Sequence, residues 1–323
     1  MKNQRIVNLR ALAILIVVLG HSIILYSSEW NLYTTTVTCT LLDIIKKNIN
    51  LIQMPLFFSI SGYLFFYSQS KEKLFLDFVK DKSKRLLLPF VIFAFLWLLP
   101  IRLLLKYPYY QNVSPLYLIF KDILWGQDNG HLWFLQTLFL LFIIMFYICR
   151  FLYRKNSFCL YITIGIIFLF LSVFSSELFN IHILNNFFKY CIWFYFGFLI
   201  NKYEKFFINN YSKVICLLFL FFSYIFYYKF LNITVIQYIL TTNFILVLYN
   251  YMTDKYNIIL YKISSNSFGI YLFHSPLIYI TFTYLSEKNP IIVVSINFIL
   301  WGGLSYVLSH IIKKSKLKFI IGD

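Results

Sequence analysis

Arg10-Ala-Leu-Ala-Ile-Leu-Ile-Val-Val-Leu-Gly-His21 sets an arginine and a histidine on one apolar run that reads as a membrane-crossing helix. His21 lies eleven positions after Arg10. At ~100° per residue this is about three turns plus ~20°, so the two side chains share a face, roughly 16 Å apart along the axis. Ionisable groups in a bilayer are expensive, and those that remain usually face a cavity and work there. One group near the rim and one deep in the span read as two ends of a single site.

The rest of the chain agrees with a membrane setting. It is 60% hydrophobic, 22% aromatic and 13% charged, whereas soluble domains carry nearer a quarter charged residues. A span needs ~20 mostly apolar residues to cross ~30 Å of hydrocarbon. Ten segments meet that pattern: 6–26, 48–68, 86–106, 131–150, 157–175, 184–201, 212–230, 233–252, 266–285 and 290–312. The expected fold class is therefore all-α, a polytopic bundle of about ten transmembrane helices in a single integral-membrane domain, 1–323. No soluble domain, long linker or internal repeat is visible.

A net charge of +17 invites a nucleic-acid reading, which the placement of the charges opposes. With the N-terminus inside, twenty of the 29 lysines and arginines fall in cytoplasmic segments. Six lie outside (Lys46, Lys47, Lys106, Lys121, Lys229 and Lys288), and Arg10, Arg102 and Lys189 lie within or at the edge of spans. That asymmetry, alternating loop by loop, is the positive-inside rule, with both termini cytoplasmic. The partner expected of these charges is a lipid bilayer, not a nucleic acid. The first 28 residues also carry the outline of a signal peptide. They lack a clean small-x-small site, and a retained first span is expected. The five cysteines show no CxxC spacing and predict no disulfide framework.

Several polar features carry two readings each. Arg10 is either a snorkelling anchor for span one or part of a site. Lys82, Lys84 and Arg85, at the cytoplasmic mouth of span three, are either topology signals or a phosphate grip, since arginine offers a planar two-pronged donor set. His21 is either a hydrogen-bonded core residue or a neutral general base. His131 opens span four in Gly130-His131-Leu132-Trp133-Phe134-Leu135, where Trp133 alone would read as an interfacial belt residue. Ser61-Gly62-Tyr63 in span two supplies small residues for close approach by a helix or a ligand. His274, in Tyr271-Leu272-Phe273-His274-Ser275-Pro276, is a third intramembrane histidine, followed by a proline that can open backbone groups toward a cavity. No metal-binding spacing, Walker loop or GxSxG motif is present, and almost every acidic residue lies in a loop, which counts against an ion-coupled transporter.

Taken in order, these segments resemble the acyltransferase 3 superfamily of multispan membrane acyltransferases. The matching pieces are Leu9-Arg10 through Gly20-His21-Ser22, Met54-Pro55-Leu56-Phe57-Phe58 with Ser61-Gly62-Tyr63, Lys84-Arg85-Leu86 with Pro89-Phe90, Gly130 to Leu135, and Tyr271 to His274. They run across nearly the whole chain. Many members carry an aspartate three residues before the arginine; Val7 stands there in this chain, with Asn8 beside it.

The resemblance implies a bacterial inner-membrane O-acyltransferase. Such an enzyme moves an acyl group, most often acetyl, from cytoplasmic acyl-CoA to a hydroxyl of a cell-surface or lipid-linked carbohydrate. Acyl-CoA (acetyl-CoA) is then a co-substrate, with no bound cofactor and no metal. On this reading His21, Arg10 and His131 are catalytic, and Arg10, Lys84 and Arg85 receive the CoA phosphates. Ser61, Gly62, Tyr63, Trp133 and His274 contact substrate or line its tunnel. The rival expectation is a transporter, flippase or polymerase for a lipid-linked glycan, which would need no CoA.

Overall fold

A computed structural model of the protein describes residues 3–28, 33, 35, 37–69, 74–230 and 234–323. Among the described residues there is no strand, and ten helical segments have sixteen or more residues. We number them α1 (Gln4–Tyr26), α2 (Thr40–Gln69), α3 (Phe75–Leu104), α4 (Gly130–Lys155), α5 (Phe158–Val173), α6 (His182–Lys202), α7 (Asn210–Lys229), α8 (Thr234–Tyr251), α9 (Ile258–Leu285) and α10 (Pro290–Lys314). A chain in hydrocarbon has no water to satisfy its amides, so helices that bond within themselves are the expected solution.

Each of the ten expected spans falls on one of these helices. Eight are long and apolar enough to cross a membrane. The other two differ for physical reasons: α5 has only 16 residues, and α8, with 18, is diluted by Gln237, Thr241, Thr242, Asn243 and Asn250. The protein is an all-α, multi-pass membrane protein. α2 also begins eight residues before the expected 48–68 span. Lys46 and Lys47 consequently lie inside a helix and not in an outer loop.

Four prolines sit in the interior of these helices, and two come with wide turns. A proline has no N–H, and its ring clashes with the carbonyl four residues back. In α3 the residues Ser83–Leu87 and Ala94–Leu98 form π turns, and Leu88 and Leu99 donate five residues back, to Ser83 O and Ala94 O. Pro89 and Pro100 follow directly. The widened turns move aside the carbonyls that the rings would strike.

The chain divides into two compact units, each assembled from separate stretches. The first contains residues up to Arg10, Leu51–Asp77 and Leu140–Asn257. Within it α2 crosses α6 at close range. A Cβ added at Gly62 would lie 1.8 Å from Phe194 O, and one at Gly197 would lie 1.8 Å from Ser59 O. Glycines here let two backbones touch. Asn201 donates to Tyr63 O at 2.8 Å, which fastens the same crossing. α7 leaves Leu217, Phe219, Phe222 and Phe226 exposed, as a helix facing lipid would.

The second unit contains Ala11–Asn50, Phe78–Phe139 and Ile258–Asp323. α9 is its most buried helix, with an unbroken inward run from Gly269 to Tyr279. α10 packs against it where a Cβ on Gly269 would meet Ser309 Oγ at 2.2 Å. Trp301 donates to Thr281 Oγ1 at 2.6 Å across the same pair. α3 reaches α9 through Trp97, whose indole N–H donates to Phe273 O at 3.2 Å. Asn297 of α10 donates to Ser22 O of α1 at 3.2 Å. These bonds surround the stretch of α9 that carries His274.

Candidate active site

Three histidines from three segments meet in the second unit. His21 stands in the last turns of α1, His274 in the middle of α9, and His131 in a single 3₁₀ turn, Gly130–Leu132, that leads into α4. His21 Nδ1 lies 3.1 Å from His274 Nε2, and the His131 and His274 rings are 5.6 Å apart. His274 is fully buried and His131 nearly so, while His21 keeps partial exposure.

Backbone carbonyls determine where the protons sit, because a carbonyl only accepts. His274 Nδ1 lies 2.9 Å from both Ile270 O and Tyr271 O, so Nδ1 carries the hydrogen and Nε2 is a lone pair. His21 Nδ1 lies 3.0 Å from Val17 O and therefore also carries a hydrogen, shared with His274 Nε2. This leaves His21 Nε2 as an unprotonated, basic nitrogen. His131 Nε2 donates to Leu272 O at 3.2 Å. Its Nδ1 is then a buried lone pair with no partner.

The anchor for His131 comes from a proline. Pro276 has no N–H to give to the carbonyl four residues back, which is Leu272 O, and His131 donates to that oxygen instead. Tyr271 adds a second hold by donating its hydroxyl to His131 O. Gly130 makes the turn possible, with φ at +58°, a conformation that glycine adopts at little cost. The Gly-His and His-Ser-Pro motifs lie far apart in the sequence, and the bond of His131 to Leu272 O connects them.

The remaining expected site residues are distributed as follows. Lys84 and Arg85 lie exposed on the first π turn of α3, in the same unit as the histidines. Gly322, with φ at +71°, brings the C-terminal turn against Arg85 O, where a Cβ would lie 2.7 Å away. Trp133 begins the regular part of α4, half-buried. Arg10 lies half-buried in the α1 stretch of the first unit. Ser61, Gly62 and Tyr63 belong to that unit too. Ser61 donates to its own helix at Phe57 O, at 2.9 Å, Gly62 serves the α2–α6 crossing, and the Tyr63 hydroxyl accepts from Asn3 at 2.9 Å. Asn8, beside the position where relatives carry an acid, is wholly buried and donates to Thr253 O and Lys255 O at 2.9 and 3.1 Å. It fastens the chain after α8.

One residue was missed. Lys46 is 2% exposed and lies within electrostatic reach of His21. The Asp43–Lys47 ion pair at 2.8 Å, with i,i+4 spacing, was the available sign that α2 extends this far.

The acyltransferase 3 family model, described as an acyltransferase domain, matches residues 3–312. The chain belongs to the acyltransferase 3 family. The match takes in stretches of both units and all three site histidines, and the family indicates membrane acyltransferase activity for this protein. No curated protein and no solved structure matches the chain.

Proposed function

We propose that this acyltransferase transfers an acyl group, most often acetyl, from cytoplasmic acyl-CoA to a hydroxyl of a cell-surface or lipid-linked carbohydrate. The observation that carries the reading is the position of His21 Nδ1, 3.0 Å from Val17 O and 3.1 Å from His274 Nε2. Its Nδ1–H is held by Val17 O and by His274, which leaves Nε2 free to take a proton.

The acceptor hydroxyl oxygen attacks the thioester carbonyl while His21 Nε2 accepts the hydroxyl proton, a contribution of about 10²–10⁴-fold. The resulting imidazolium still donates from Nδ1 to Val17 O and His274 Nε2, both lone-pair acceptors, and is stabilised by them. The tetrahedral intermediate expels the CoA sulfur, which recovers the proton. The free Nδ1 of His131 is a lone pair. It suits a partner that donates, such as an acceptor hydroxyl, and not a developing oxyanion, which needs donors. The exposed Lys84 and Arg85 suit the CoA phosphates, and Arg10 is assigned to the same donor or to ordering its path.

The same proposal takes the protein as an inner-membrane one of ten spans working as one domain over 1–323, and the charge asymmetry of the chain supports cytoplasmic termini. The test is acyl transfer from radiolabelled acetyl-CoA into surface or lipid-linked glycan, in membranes carrying wild type, Arg10→Ala or His21→Ala. Label present with wild type and lost in both variants at equal protein level is the expected result. No label in any sample, with glycan export or chain length dependent on the protein, would return the transporter or polymerase reading.

A further inference from the structure

Arg102, near the end of α3, is 1% exposed and lies outside the three-histidine group. Its Nη1 donates to Tyr110 Oη at 3.0 Å, Asp128 O at 3.1 Å and Asp128 Oδ2 at 3.2 Å. Its Nη2 donates to Tyr279 Oη at 2.7 Å. The guanidinium lies 4.2 Å from the centre of the Tyr107 ring. Both terminal nitrogens are thus engaged by the protein's own groups, while Nε has no hydrogen-bond partner, so the arrangement is structural in form.

Two of its partners stand beside site residues. Asp128 is three residues before His131, and on the intervening Gly130 a Cβ would come within 3.0 Å of Arg102 Nη2. Tyr279 is five residues beyond His274 on α9. One side chain therefore holds the turn that presents His131 and the helix whose Leu272 carbonyl orients it. We infer that Arg102 is a positioning residue for His131, clamping the 128–131 turn to α9 so that His131 keeps its Nδ1 lone pair free. Lysine would preserve the charge opposite Asp128. It cannot reproduce a rigid fork that donates to Asp128, Tyr110 and Tyr279 together.

The inference rests on the proposed acyl transfer for its kinetic consequence and on the structure alone for the geometry, and two measurements separate these. The first is ¹⁵N NMR of the full-length protein with labelled histidine, the His131 signal being assigned by its loss in His131→Asn. Wild type is expected to show the Nε2-protonated tautomer at His131, and Arg102→Lys a mixture of tautomers. Tyr279→Phe removes one hydroxyl and keeps the ring; it serves as the second variant should Arg102→Lys not accumulate, and the same mixture is expected. An unchanged His131 tautomer in the variant that accumulates overturns the inference, whatever the activity.

The second measurement is a double-mutant cycle in acyl transfer. Arg102→Lys is expected to lower kcat by on the order of tenfold to a hundredfold, with the KM for acetyl-CoA unchanged. In a His131→Ala background that loss should vanish, since there is no longer a ring to position. A loss that persists undiminished in that background marks a general structural role and overturns the inference. A wild type that transfers no acyl group but shows the tautomer change supports the clamp and removes the functional reading.

Discussion

Pro276 and His131 are joined through one oxygen: the carbonyl of Leu272, which the proline cannot use, accepts the Nε2–H of His131 at 3.2 Å. The helix defect and the orientation of a site residue are thus one feature. Pro276→Ala would restore an N–H four residues after Leu272, and alanine is favoured over proline inside a helix by about 3 kcal/mol. The variant should melt higher in detergent and transfer acyl groups more slowly, by on the order of tenfold, as the helix competes with His131 for the carbonyl. Equal activity with raised stability would separate the proline from the site.

His274 accepts from His21 Nδ1 and so reinforces the choice of basic nitrogen that Val17 O makes on His21. His274→Ala leaves Val17 O as a partner for that hydrogen. Single-turnover acyl transfer should therefore fall less than in His21→Ala, for which the loss is about 10²–10⁴-fold. A His274 variant as inactive as His21→Ala, at normal abundance, would mean that His274 itself handles the proton.

Gly62 sits where a methyl group would overlap Phe194 O. Gly62→Ala must push α2 and α6 apart, and overpacking of this kind costs about 1–3 kcal/mol or more. Thermal melting in detergent should show that loss, while the activity of each surviving folded molecule stays near wild type. A variant of normal stability with an altered KM for acyl-CoA would instead place Gly62 against substrate.

Asp122 lies in the turn between α3 and α4 and is buried, with one carboxylate oxygen accepting from Tyr109 at 3.2 Å and the other unpartnered. Burial raises its pKa above the ordinary carboxylate value. The folded state therefore holds this proton more tightly than the unfolded state does, and stability declines as the pH rises from the ordinary value through the raised one. Asp122→Asn should remove that decline. Melting curves between pH 4 and 7 of wild type and variant, which should differ in slope, provide the check.

The apolar runs made the helices legible, because hydrocarbon permits few alternatives to a self-bonded backbone. The same logic misjudged where they end. Lys46 looked like an outer-loop charge, yet α2 continues past it and buries it, since a lysine with nearby polar company can remain inside. His21, His131 and His274 stood out as polar residues in apolar surroundings, and they do converge. What the sequence could not display is how each ring is turned. That depends on Val17, Ile270 and Leu272 offering main-chain oxygens, and a carbonyl carries no residue identity. Arg102 could be placed at a span, but its contacts could not: its partners are spread from Tyr107 to Tyr279, and no local spacing announces them.

The two wide turns of α3 have a bearing on that arginine. Each π turn takes up one residue more than a regular helix would, and so rotates everything beyond it by about 100°. Two of them, closing at Leu87 and Leu98, add up to about 200° before Arg102 is reached. Straightened into a uniform spiral, α3 would aim this guanidinium at nearly the opposite side, away from Tyr279 and Asp128. Pro89 and Pro100 thus act as phase shifters. Removing a single residue between them would spoil the aim of a side chain well beyond the deletion, without changing any residue that the side chain touches.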